Sequence, residues 1–99
     1  MDIENWRSEI DKIDMELLRL LNQRARIAIK VGALKRIAEL PLCDPCREQE
    51  ILARVRDANR GPLDNQVAVH LFRQIITASR QAETERCDET SFAMQEVAL

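Results

Sequence analysis

The sequence contains no tyrosine, two glycines, three prolines, one tryptophan and two phenylalanines in 99 residues. So little turn chemistry and so few strand formers exclude a sheet-rich architecture, and the abundant Leu, Ile, Ala, Arg and Glu favour an all-α fold. A surplus of positive charge is also missing. With 15 Lys and Arg against 17 Asp and Glu, nothing is left over to neutralise phosphates, which argues against a nucleic-acid partner. No window approaches the roughly 18 apolar residues of a membrane span. The first residues, MDIENWRSEI, carry acids where a signal peptide needs positive charge and an apolar core. We therefore expect a cytoplasmic protein with no membrane association. Three cysteines, an odd number, suit a reducing compartment better than a disulfide framework. The length fits one domain without a second catalytic unit, so the expectation is a monofunctional chain.

The breakers divide the chain into three helical segments: Ile3 to about Glu39, Arg47 to Asp57, and Asp64 to about Arg86. In the first, Ile3, Trp6, Ile10, Ile13, Leu17, Leu20, Ile27, Val31 and Leu34 recur in alternating three- and four-residue steps. That is a heptad seam. The step after Leu20 lands on Arg24. A cation in an apolar stripe either snorkels to its edge or waits for an anion. No acid of the same helix lies one turn away, since Asp14 and Glu16 are over two turns back.

About 36 helical residues extend roughly 54 Å, whereas a compact domain of this size has a radius of gyration near 13 Å. Such a helix overhangs its own domain, and the shorter second and third segments cannot cover its seam. A second copy under two-fold symmetry is the simplest cover, so we expect an intertwined homodimer. Arg24 and Lys35 lie about 16 Å apart along the helix axis, within reach of opposite ends of one small dianion. Arg7 is about 25 Å from Arg24, too far to join it on the same helix, though an antiparallel partner could return it to the site. Taken alone, Arg7 and Lys35 read as solvated helix-face charges.

Asp44-Pro45 reads as an N-cap followed by proline at the first helical position. Arg47 and Glu48 fall in the first turn, where the helix dipole favours the glutamate and not the arginine. In the third segment Val67, Leu71, Ile75, Ala78 and Ala82 form an apolar stripe with Phe72 and Ile76 beside it. Ser79 and Glu83 continue the Phe72–Ile76 face, either as surface residues or as polar groups aimed inward.

The order Arg7-Ser-Glu-Ile-Asp-Lys-Ile-Asp, Leu17-Leu-Arg-Leu-Leu-Asn-Gln-Arg24, Val31-Gly-Ala-Leu-Lys35, Asp44-Pro-Cys-Arg47-Glu48 and Leu71-Phe-Arg-Gln-Ile-Ile-Thr-Ala-Ser79 resembles the all-helical, AroQ-type chorismate mutases. The resemblance spans residues 3 to about 86. It implies three helices per chain, a very long first helix, an intertwined dimer with two active sites, and rearrangement of chorismate to prephenate in phenylalanine and tyrosine biosynthesis. By the same resemblance Arg7 reaches into the partner's site, and Arg24 and Arg47 help to hold the substrate carboxylates. Lys35 sits at the ether oxygen and a carboxylate. Asp44 and Glu48 lie near the substrate hydroxyl, and Ser79 makes a polar contact. No metal or cofactor is implied, and an aromatic-pathway enzyme is a candidate partner.

One position departs from many bacterial relatives, which place Gln where this sequence has Glu83; yeast-type members resemble it in using Glu. A carboxylate cannot donate to the ether oxygen but a carboxylic acid can, so the expectation is that Glu83 acts protonated and that activity falls as pH rises. Rival readings are an isochorismate-pyruvate lyase or aminodeoxychorismate mutase of the same fold, or a non-catalytic helical dimerisation module. Cys43-x-x-Cys46 lacks the further nearby ligands of a zinc site and the βαβ context of a redox motif, leaving an ordinary loop thiol pair. His70 reads as a helix-face residue. We expect a helical domain over residues 1–86 and a frayed tail over 87–99.

Overall fold

The computed structural model describes residues 2–98, with side chains through Glu85. It contains three helices: α1 (Ile3–Ile37), α2 (Pro45–Ala58) and α3 (Asn65–Ala98). The backbone of α3 continues well past the expected end near Arg86. No Gly or Pro follows Gly61-Pro62 to stop it. The side chains of 86–99, Cys87 among them, lie outside the described residues.

Each helix begins where a carboxylate caps it. Asp2 accepts from the Asn5 backbone N–H at 3.0 Å, Asp44 from that of Arg47 at 3.0 Å, and Asp64 from that of Gln66 at 3.2 Å. These bonds satisfy amides that have no intrahelical partner. Lys35 and Arg36 close α1 against the negative end of its dipole. The chain leaves α1 through Glu39 at φ 58°. There the Leu40 N–H reaches the Lys35 carbonyl at 2.7 Å and the Glu39 N–H that of Arg36 at 3.1 Å. This crossed pair is a Schellman motif with glutamate in the left-handed position that glycine usually takes.

The three helices form a plate of 60 × 32 × 14 Å with a radius of gyration of 17.6 Å. One helix with its side chains is about 10–12 Å across, so the plate is a single layer. α3 packs against both α1 and α2, which do not approach each other. The apolar stripes read from the sequence are not the faces used for this packing. All nine seam residues of α1 are exposed, from 42% at Val31 to 67% at Ile3. What α1 presents to α3 is a neighbouring strip of partly or fully covered residues: Ala25, Ala28, Ile29 and buried Gly32. In α3 the covered face is Ala68, Phe72, Ile76, Ser79 and Glu83, while Val67 and Leu71 stay exposed. Among the described residues only Leu52, Ala68 and Ile76 make up the buried hydrophobic core.

Candidate active site

The C-terminal half of α1, the loop before α2, the first turns of α2 and the middle of α3 enclose a cleft of about 280 Å³. Seven of the eight residues singled out from the sequence line it: Arg24, Lys35, Asp44, Arg47, Glu48, Ser79 and Glu83. The eighth, Arg7, does not. It lies near the far end of α1, exposed, paired with Glu4 at 3.1 Å. Ile27, Val31, Leu42, Ile51 and Ile76 supply an apolar lining between the charges.

Arg24, half-buried, is the cation that interrupts the seam, and its Nη1 donates to Ser79 Oγ at 2.6 Å. The hydroxyl therefore ties α1 to α3 and fixes the guanidinium without neutralising it. Lys35 Nζ donates to the Leu42 carbonyl at 3.2 Å, tying the end of α1 to the loop that leads into α2. A carbonyl leaves the ammonium's positive charge available to an anion, with two further donor hydrogens. Asp44 serves as the α2 cap, as its place before Pro45 predicts. Arg47 is exposed and pairs with Glu50 at 3.3 Å, a solvent-facing contact of little intrinsic strength.

Glu83 is buried, at 7% exposure, as is Ser79. The glutamate lies across Gly32: a Cβ built there would come within 3.3 Å of Glu83 Cγ and 3.4 Å of its Cδ. Gly32 thus makes the room in which this carboxyl sits. Arg36 braces the arrangement from behind, its Nη2 donating to the Glu83 carbonyl at 3.3 Å, while its buried Nε has no hydrogen-bond partner. Arg36 does not stand out in the sequence because it reads as a charge completing the helix end.

Arg80 is a further cleft residue that the sequence reading lacks. It lines the cleft and pairs across the α2–α3 interface with Glu48. Its position directly after Ser79 was the available signal, but only the packing of α2 shows what it faces. The cleft thus gathers four cations, Arg24, Lys35, Arg47 and Arg80, against three acids, Asp44, Glu48 and Glu83. Among the described residues no group of three or more His, Cys, Asp and Glu is placed to hold a metal ion. Cys43 and Cys46 are free and exposed. No helix among the described residues is long and apolar enough to cross a membrane.

Arranged this way, the site can hold a small, multiply negative, partly apolar molecule between helices and direct donors at it from several sides. It offers no activated nucleophile of the Ser–His or Cys–His kind.

The family model for type II chorismate mutases matches residues 6–84. A bifunctional chorismate mutase/prephenate dehydratase from Aquifex aeolicus is 40% identical over 86 residues, covering 83% of this chain and 24% of its own. The chain therefore spans about a quarter of the length of that curated relative. Among solved structures, a chorismate mutase from Thermus thermophilus superposes with a TM-score of 0.81 at 38% identity, over 83% of this chain and 93% of that one. The Helicobacter pylori chorismate mutase in complex with prephenate gives a TM-score of 0.81 at 34% identity, over 88% and 94%. The run of helices, the charged cleft they enclose and the match across most of its length agree: the chain belongs to the type II chorismate mutase family.

Proposed function

We propose that this chain is a chorismate mutase whose residues 1–86 convert chorismate to prephenate for phenylalanine and tyrosine biosynthesis in the cytoplasm. The observation that carries the reading is the convergence of Arg24 and Lys35 from α1, Arg47 from α2, and Ser79 and Glu83 from α3 on one cleft. The reaction is a [3,3]-sigmatropic shift: a C–O bond breaks as a C–C bond forms within one molecule. It needs no cofactor, metal or covalent intermediate. The protein's task is to hold the two arms of the substrate in a compact chair and to stabilise negative charge growing on the ether oxygen.

Arg24 and Arg47 hold the two carboxylates, Arg24 preset by its bond to Ser79. Lys35, anchored by Leu42, contributes its remaining hydrogens to a carboxylate and to the ether oxygen. Glu83, its carboxyl buried over Gly32, faces that oxygen from α3. Glu48 accepts from the ring hydroxyl, with Asp44 beside it. Fixed donors in a partly dry cleft need no rearrangement as charge develops, and losing one typically costs about 3 kcal/mol of barrier.

The site operates in an intertwined homodimer in which Arg7 of each chain completes the other's cleft. A plate one helix thick with its whole heptad seam exposed supports this, because an apolar stripe of that length is stable in water only when covered. The joining of a chorismate mutase to a prephenate dehydratase in the Aquifex aeolicus relative makes an enzyme of the same pathway the candidate partner.

The test is incubation of purified protein with chorismate, isochorismate and aminodeoxychorismate, with products identified by chromatography and mass. Prephenate formed from chorismate is the expected result. Depletion of either other compound in preference to chorismate, or of none, would reject the proposal.

A further inference from the structure

The Glu48–Arg80 pair is the one ion pair among the described residues with both members lining the cleft. The other charged groups there are engaged differently. Asp44 caps α2, Arg24 bonds a hydroxyl, Lys35 bonds a carbonyl, and Arg47 turns to Glu50, which lies outside the cleft. The side chains of Arg80 and Glu48 are 36% and 30% exposed, so the pair is only partly screened by solvent. Arg80 Nη2 meets Glu48 Oε1. A carboxylate with one oxygen engaged keeps acceptor capacity on the other, so it can still receive a hydrogen bond from a neutral donor. What it loses is its net charge.

From this arrangement we infer that Arg80 is a positioning residue that sets the ligand selectivity of Glu48. By orienting and neutralising that carboxylate, it makes the subsite accept a hydroxyl and disfavour an ammonium at the same ring position. A free carboxylate in a partly enclosed cleft would do the reverse, because an ammonium brings both donors and an opposite charge. The inference deepens the proposed function and rests on it, since it takes chorismate as the ligand and its 4-amino analogue, which carries an ammonium in place of the hydroxyl at neutral pH, as the excluded one. A purely structural role, a clamp between α2 and α3, predicts that both ligands respond alike to loss of Arg80.

The experiment compares wild type with R80Q, R80K, E48Q and R80Q/E48Q, each checked by thermal melting. It measures kcat and KM for chorismate and the competitive inhibition constant, Ki, of aminodeoxychorismate. In R80Q the ratio of Ki for the amine to KM for chorismate falls about ten-fold while kcat stays within about three-fold, the size of a single charge interaction at a partly buried site. R80K restores the ratio. E48Q, with Arg80 left uncompensated, raises it, and adding R80Q to E48Q no longer lowers it below wild type. An unchanged ratio in folded R80Q, or a fall that persists in the E48Q background, overturns the inference; if R80Q does not fold, an unchanged ratio in E48Q does so. Failure of the wild type to convert chorismate is a separate result, which removes the proposed function and this inference with it.

Discussion

Gly32 sits inside α1, where a glycine is normally a weakness. Replacing an interior helical glycine by alanine is worth about 0.5–1 kcal/mol in backbone terms. Here the added methyl would meet Glu83 Cγ at 3.3 Å, Glu83 Cδ at 3.4 Å and Arg36 Nη2 at 3.5 Å. Carbon atoms prefer about 3.5–4.0 Å, so Glu83 must yield by a few tenths of an ångström. The two effects act on different quantities. The helix gains, the repacking takes some of it back, and the net stability of Gly32→Ala stays within about 1 kcal/mol of wild type, a few degrees in melting temperature. Catalysis has no such compensation. A misplacement of about 1 Å can lower a rate about 10²-fold, so a displacement of a few tenths should lower kcat about ten-fold, with KM little changed. Initial rates of chorismate consumption and circular-dichroism melts read the two quantities separately. In a Glu83→Ala background the glycine replacement should have no further effect on kcat, because the group it displaces is gone. A Gly32→Ala protein with wild-type kcat and a raised melting temperature would show that the seat of Glu83 over this glycine has no part in turnover.

The same geometry sets three further expectations. Lys35→Ala should lower kcat/KM by about 10² or more while leaving size-exclusion elution unchanged, since it removes a fixed donor to the developing charge; near-normal turnover would reject the role given to Lys35. Glu83→Ala should lower kcat by about 10² by emptying the position over Gly32, whereas Glu83→Gln, whose amide offers a donor, should keep more of the activity; equal losses in the two variants remove that role. Glu39→Gly should stabilise the protein by about 1 kcal/mol and raise its melting temperature by several degrees, because the left-handed conformation at φ 58° burdens a residue with a Cβ and not glycine. An unchanged or lowered melting temperature would argue against that turn.

The helices and their caps were legible because local chemistry decides them: Asp44 before Pro45 is an N-cap in any context. The anomaly at Arg24 was legible because a cation inside an apolar repeat needs a reason. Which face of α1 turns toward α3 was not. Periodicity marks an apolar stripe without saying what packs on it, and the inward strip of Ala25, Ala28, Ile29 and Gly32, with one large residue among three small ones, does not stand out beside the run of Ile and Leu. Arg80 escaped for a related reason. Its meaning depends on Glu48, which lies on another helix, and no spacing along one helix relates the two. The end of α3 escaped because the residues beyond Arg86 lack a hydrophobic rhythm while still tolerating helical backbone.

A plate only 14 Å thick has almost no inside. If a second copy shelters the exposed leucines and isoleucines of α1, as proposed above, then by mass action dilution acts on this protein as a mild denaturant. Its melting temperature should climb with concentration, and the micromolar range at which an assay is run becomes a determinant of whether a cleft is assembled to do any chemistry.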